Sequence, residues 1–195
     1  MAIRNVKSSM VDMNELEPIV RQAQTGDLEA FRTLWEHSWP GMRRLAGHLC
    51  ASPCEADDLV QNCFVQCWKA LPTLREPAAF MGWLRRIVVN RARDLWRSRR
   101  PEESLDVPGA YEPLDSEPNA SEALDTSQRS ELVRRVVASL PDGQREVIAL
   151  FYLEELEVLE VASTLNLPKG TVLSRLSRGR DALRERLSAY SLEVS

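Results

Sequence analysis

VLEVASTLNLPKGTVLSRLSRGR, running from Val158 to Arg180, decides how the rest of the chain is read. Apolar residues recur at three- and four-residue spacing on both sides of Asn166-Leu167, so the stretch reads as two helices and a turn. Leu159, Val161, Ala162 and Leu165 of the first helix are placed toward a core, with Ala162 small where the helices cross. Asn166 is a residue type that tolerates the positive backbone angle such a turn needs. Pro168 starts the second helix, which turns Val172, Leu176 and Leu183 inward and Thr171, Ser174, Arg175 and Arg178 outward. An exposed helical N-terminus with hydroxyls and arginines suits a DNA major groove. Its N–H and hydroxyl groups take phosphates, and Arg reads guanine edges. The plain alternative is a helical hairpin with a solvated basic face, and the motif alone leaves both open.

Working outward, the helical period continues and strand-type alternation is absent. Leu16, Ile19, Val20 and Ala23 form a stripe stopped by Gly26, and Asp27 caps a helix carrying Leu28, Phe31, Leu34 and Trp35. A third helix is expected through Met42, Leu45, Ala46 and Leu49. Ser52-Pro53-Cys54-Glu55 is a start signal: a capping Ser, Pro at the first helical position, and Glu three residues after the cap. That helix carries Leu59, Cys63, Phe64, Cys67 and Leu71 and stops at Pro72; Pro77 opens the next, with Phe80, Trp83, Leu84, Ile87, Val88, Ala92 and Leu95. Pro101 to Asp125 is rich in proline and acids and reads as an extended or disordered linker. Helical pattern returns with Leu132, Val133, Val136, Val137 and Leu140, and again after Pro141. The expectation is an all-α chain: a helical bundle over 1–100, an acidic tether over 101–126, and a second helical domain over 127–195.

The net charge of −4 looks wrong for a nucleic-acid partner until it is resolved along the chain. Arg85, Arg86, Arg91, Arg93, Arg97, Arg99 and Arg100 crowd one segment against Asp94 alone. Lys169, Arg175, Arg178, Arg180, Arg184 and Arg186 crowd another. The acids of the linker hide these two basic patches in the total. Aromatics beside arginines suit unpaired DNA, because bases stack on rings while arginines follow phosphates. Phe80 and Trp83, however, fall on the apolar stripe and read as core. Asp57 and Asp58 in a first helical turn have a plain role too, which is to favour the helix dipole.

These motifs occur in a set order. Asp57-Asp58-Leu59-Val60-Gln61 is followed by Phe64 and Trp68, then Phe80, Trp83-Leu84 and Ile87, then Asn90, Asp94 and a basic tail. After the linker come Leu140-Pro141, Arg145-Glu146-Val147-Ile148, and Gly170-Thr171-Val172-Leu173-Ser174-Arg175-Leu176 with Arg178-Gly179-Arg180. From about Gln24 to Leu187 the chain resembles a bacterial sigma factor of the extracytoplasmic-function (ECF) group of the sigma-70 family. The resemblance implies a promoter-specificity factor that binds core RNA polymerase and directs it to −10 and −35 elements. The first domain then corresponds to region 2, with Asp57, Asp58 and Gln61 facing the β′ clamp helices. Arg75 in the Leu74–Ala79 loop, with Arg86, Asn90, Arg93, Trp96 and Arg97 on the helix after it, would hold the melted −10 strand. The second domain corresponds to region 4, with Thr171, Ser174, Arg175 and Arg178 on the −35 element and the β flap as a further polymerase contact. The linker would thread through the polymerase. An anti-sigma factor is left open as a partner, and the free chain is expected to be a monomer. Leu173 and Ser177 stand where the family often has basic or larger contact residues, so no −35 sequence preference is carried over.

Other classes lack parts. No Gly-rich phosphate loop, nucleophile elbow or paired-histidine motif is present, and His37 and His48 have no catalytic neighbour in sequence, so neither an enzyme nor a cofactor is expected. A free-standing helix-turn-helix regulator would need a ligand pocket or dimer interface in place of the first domain, and a pure protein-interaction module would leave both arginine patches without a partner. Cys50, Cys54, Cys63 and Cys67, with His48 nearby, pose a choice between core packing and a metal or thiol sensor. Cys63 and Cys67 fall on the packing stripe, and helical i,i+4 Cβ atoms at ~5–6 Å are too far apart for a disulfide, so packing is favoured and no metal is assigned. Residues 1–17 have no apolar core and no run approaches membrane-spanning length, so the cytoplasm is expected.

The linker sets a length test. Pro101 to Asp125 reaches at most ~80–90 Å stretched and spans only ~25–30 Å relaxed. Two promoter sites two helical turns apart lie roughly 70 Å from each other. Deleting Pro108–Pro118 leaves at most ~50 Å of reach. That deletion is expected to abolish transcription from two-element promoters while circular dichroism shows both domains folded.

Overall fold

The computed structural model describes residues 13–50, 52–99 and 132–193, with the backbone alone for 13–15 and 189–193. The expected linker, 101–126, lies outside the described residues. Among the described residues all regular structure is helical. The helices are α1 (Met13–Gln24), α2 (Leu28–Leu49), α3 (Pro53–Ala70), α4 (Phe80–Arg99), α5 (helical over 132–138), α6 (Asp142–Ile148), α7 (Val158–Leu165) and α8 (Lys169–Glu193).

The start and stop signals act as read. Gly26 adopts φ +95°, where a side chain would be strained, and lets the chain reverse between α1 and α2. The Asp27 carboxylate then accepts from the N–H groups of Glu29 (2.9 Å) and Ala30 (3.1 Å). Ser52 caps α3 by accepting from the Glu55 N–H, with Pro53 in the first turn. One expectation fails here. The two helices expected on either side of Pro40 are a single helix, α2, which passes through Pro40. The burial of Leu34, Met42, Leu45 and Leu49 along one stripe outweighs the one hydrogen bond that Pro40 cannot donate.

Helices α1–α4 pack around Val20, Leu34, Leu45, Val60, Phe80, Leu84 and Val88, all essentially inaccessible. Phe80 is core as read, while Trp83 is only half-buried. Phe31, Trp35, Phe64 and Trp68 form a chain of tilted and edge-on ring contacts across α2 and α3, with centroids 4.8–5.1 Å apart. Cys50, Cys63 and Cys67 are buried, and burial pushes each thiol up to about 12, so they pack as neutral small hydrophobes; Cys54 is exposed.

In the second bundle α6 runs into one wide π turn, Ala149–Leu153, before α7 and α8 form the helix-turn-helix. Asn166 sits at φ 53°, ψ 50°, the left-handed conformation the turn was expected to need. Val161, Leu165, Val172 and Leu176 are buried as read. Leu159 is not: it is 63% exposed, because α7 buries the sides toward α4 and α8 and Leu159 lies off both. A second close approach in this bundle lies between α6 and α8. A Cβ at Gly179 would lie 2.8 Å from Ile148 Cγ1, so α8 meets α6 at a glycine.

The two bundles are packed together. Helix α4 lies against α7 and α6, and α2 against the π turn, so one apolar cluster runs through both. Arg44 donates two hydrogen bonds to Glu154 at this seam (2.8 and 3.1 Å). His48 is half-buried beside it; burial, then the Arg134 and Arg44 charges, hold its pKa down at about 4, so it is neutral at pH 7.

The Gly179 crossing is a sensitive point. Ile148 is 1% exposed and has nowhere to move. Gly179→Ala is expected to destabilise the second bundle by about 1–2 kcal/mol in denaturant unfolding, although alanine is the better helix former.

Candidate nucleic-acid interface

The first-turn acids of α3 divide into two environments. Asp57 is half-buried and holds Arg43 of α2 through two hydrogen bonds of 2.6 and 3.2 Å. That pair joins α3 to α2 at the rim of their buried apolar contact. Asp58 and Gln61 carry no such tie and are exposed on the open face of α3. A partner helix approaching this face meets a carboxylate and an amide with Phe64, 38% exposed, and Val65, 50% exposed, beside them.

The candidate −10 residues share α4 and the loop before it, but they do not share one environment. Arg75 is exposed on the Leu74–Ala79 loop. The loop is anchored by a residue the sequence reading missed. Gln24, at the end of α1, donates its amide N–H to the carbonyls of Leu71 (3.1 Å) and Leu74 (2.6 Å). A polar residue closing an otherwise apolar helix stripe was the available signal. Asn90 and Arg97 are exposed; Asn90 accepts from Arg93 (3.2 Å) and Arg97 pairs with Asp94 (3.2 Å).

Arg86, Arg93 and Trp96 instead face the second bundle. Arg86 donates to the carbonyls of Ser163 and Thr164 at the C-terminal end of α7. Arg93 clasps the Glu146 carboxylate with two N–H groups, and that hydrogen bond pushes the Arg93 pKa above its ordinary value. Trp96 is 7% exposed. Its indole N–H donates to the Leu49 carbonyl (3.2 Å), and the Arg145 guanidinium lies 4.4 Å from the ring centre. Arg145 in turn donates to the Leu140 carbonyl (3.0 Å).

On α8, Ser174 and Arg178 are exposed and face outward together; Arg178 lies along the Ser174 carbonyl and Ser174 donates to the Thr171 carbonyl. Thr171 is half-buried. Arg175 does not stand out in the way it was read. It is 30% exposed, with its guanidinium 4.0 Å from Glu146 and directly over Gly143, where a Cβ would come within 3.0 Å of it. The absence of a side chain at Gly143 makes this approach possible. Glu146 is thus the residue that ties α4, α6 and α8 together, and its carboxylate is only 3% exposed. An acid between Arg145 and the apolar Val147-Ile148 was the signal for it. No described helix is long and apolar enough to cross a membrane.

Comparison with known proteins agrees with this geometry. The family description Sigma-70 region 2 matches residues 34–102, and Sigma-70, region 4 matches residues 130–183. The ECF RNA polymerase sigma factor SigW of Bacillus subtilis is 30% identical over 176 residues, covering 86% of this chain and 94% of SigW. The ECF RNA polymerase sigma-E factor of Escherichia coli K12 is 30% identical over 176 residues, covering 85% of this chain and 90% of that protein. Among solved structures, CnrH in complex with the cytosolic domain of CnrY superposes with TM-score 0.68 at 27% identity, over 91% of this chain and 99% of CnrH. RpoE of Bartonella quintana, solved with the anti-sigma factor NepR, shares the fold with TM-score 0.60 at 22% identity, over 83% of this chain and 98% of RpoE. With two helical bundles matching regions 2 and 4 in order, and full-length relatives of the same kind, the chain belongs to the ECF sigma factors of the sigma-70 family, which direct RNA polymerase to promoters.

Proposed function

We propose a division of labour for this initiation factor. Residues 1–100 dock on core polymerase and hold the −10 strand, residues 101–126 span between the sites, and residues 127–195 read the −35 element. The observation that carries this reading is the pair of separate faces: Asp58 and Gln61 open on α3, Ser174 and Arg178 open on α8. Asp58 and Gln61 contact the β′ clamp helices directly, while Asp57 joins α3 to α2 through Arg43. Arg75, Asn90 and Arg97, joined by Arg86, Arg93 and Trp96 once these are released, take the unpaired −10 strand. Strand capture offsets the stacking lost on melting through phosphate contacts and base stacking. On α8, the Thr171 and Ser174 hydroxyls take phosphates, and Arg178 reaches a base edge. Arg175 is a positioning residue in this scheme, since its guanidinium packs on Gly143 beside Glu146. No chemical step is assigned to the chain. An anti-sigma partner is carried over as well, supported by the solved relatives being complexes with a second protein.

Two substitutions separate docking from folding. Asp58→Arg reverses an exposed charge and should change stability by under ~1 kcal/mol. It is expected to abolish retention on immobilised core polymerase; undiminished retention removes α3 from the docking face.

Arg178 and Arg175 should part company in a similar way. Arg178→Ala is expected to leave the melting temperature nearly unchanged and to cost ~1–3 kcal/mol of −35 binding in a manner that depends on promoter sequence. Arg175→Ala is expected to lower stability by about 1 kcal/mol and to weaken all −35 sequences alike. Titration of duplexes bearing varied −35 elements, with thermal unfolding alongside, reads both.

A further inference from the structure

The outward face of α8 carries an apolar residue that the contacts assigned so far do not use. Val172, Leu176 and Gly179 recur at helical spacing and form the buried stripe of this helix. At ~100° per residue, Ser174, Ser177 and Arg178 fall opposite that stripe, with Leu173 on the flank of the same face. Leu173 is 47% exposed. A lone leucine on a protein surface is ordinary. This one differs by its position. It lies in the second turn of α8, among the N-terminal residues that a helix-turn-helix presents to base edges. Lys169, one turn before it, and Arg180, two turns after it, lie along the same row and are both exposed. Cations on either side of an apolar residue suit a groove, with phosphates at the walls and a base edge between them. Gly170, three residues before Leu173, has no side chain and open space where one would be, so DNA can come close from that end. Leucine has no hydrogen-bonding group with which to hold a phosphate or to read a donor or acceptor. The apolar group that the major groove does offer is the C5-methyl of thymine.

We propose that Leu173 is a specificity-determining residue of this factor, which selects a thymine in the −35 element by packing on its C5-methyl group. The inference rests on the reading of α8 as the −35 helix. Bringing the leucine against the methyl removes both from water, and burial of one such group is worth about a fourfold change in affinity. The other bases fail at this site for a different reason. Cytosine and adenine present amino donors there, and guanine presents O6 and N7 acceptors. Each would give up water to an aliphatic surface and gain no hydrogen bond in return. Leu173 therefore rejects as well as selects. The thymine it reads is a different base pair from the one that Arg178 reaches. Five residues of helix rise ~7.5 Å, whereas successive base pairs are ~3.4 Å apart. Arg178 reads a polar edge on one flank of the outward face, and Leu173 reads a methyl on the other.

The full chain bound to core polymerase is given a pool of promoter fragments whose −35 element is randomised. Fragments retained by the parent factor are expected to be enriched in thymine at one −35 position. With Leu173→Ala that enrichment is expected to vanish while preferences at the other positions remain. With Leu173→Arg it is expected to give way to guanine, whose O6 and N7 accept from an arginine. The methyl is then isolated on a selected promoter. Deoxyuridine in place of the thymine removes the C5-methyl and keeps every hydrogen-bonding group of the base. This exchange is expected to weaken promoter binding about fourfold for the parent and to leave Leu173→Ala unaffected. The parent's response to deoxyuridine needs no substitution in the protein, so it is independent of how the variants fold. A −35 element without a thymine preference overturns the proposal, and so does a thymine that the parent cannot tell from deoxyuridine. A preference for that thymine which persists in Leu173→Ala or Leu173→Arg overturns it too. The −35 reading has its own control in Arg178→Ala and in scrambling of the −35 element. If neither alters binding, α8 is not the −35 helix and both readings fall. If both alter binding while no thymine methyl is felt, the role of Leu173 falls alone.

Discussion

A single buried carboxylate, Glu146, organises the contact between the two halves of this protein. At 3% exposure it cannot remain charged without partners, and its partners come from both sides: Arg93 on α4 and Arg175 on α8. The consequences spread along both helices. Arg93 leans on Asn90, and one helical turn beyond Arg93 the Trp96 ring is covered by Arg145, the residue before Glu146. On the other side Arg175 lies over Gly143, which fixes α8 against the start of α6, and Gly179 brings the same two helices together one turn further on. The placement of the helix-turn-helix and the state of the α4 surface are therefore set by one cluster.

Such an arrangement suits a factor that must not act alone. A sigma factor with both reading surfaces open would be held by bulk DNA through its arginines, because phosphate contacts are independent of sequence. Engaging Arg86, Arg93 and Arg175 with carbonyls and a carboxylate of the chain itself limits that loss, while Arg97 and Arg178 stay exposed. Asp58 and Gln61, proposed above for docking, are exposed on α3, while the contact with the second bundle is carried by α4 and α2.

Most of the fold was legible because it rests on local signals. Asp27, Ser52, Pro53 and Gly26 mark helix ends through backbone hydrogen bonds and backbone angles that any sequence reading can see. The all-helical class, and the turn at Asn166, followed from periodicity and from one permissive residue type. Failures arose where packing decides. The stretches through Trp35 and from Met42 were read as two helices, but they are one, because the buried stripe continues on both sides of Pro40. Leu159 looked like core by spacing, but α7 has eight residues and Leu159 lies off the sides that meet α4 and α8. At the candidate site, Ser174 and Arg178 are exposed on α8 as helical spacing had them, and Asp58 and Gln61, named from the family resemblance, are exposed on α3. The environments of Arg86, Arg93, Trp96 and Arg175 were invisible, since each is set by contacts more than 25 positions away in sequence. Composition showed two basic patches; it could not show that the chain would engage Arg86, Arg93 and Arg175 of those patches with its own acid and carbonyls.

The most direct test of the account is run-off transcription by core polymerase reconstituted with this chain on a library of genomic fragments from the source organism. The account requires discrete transcripts from a subset of fragments that share two upstream elements about two helical turns apart. Transcripts that are absent, or unchanged from core polymerase alone, would contradict it.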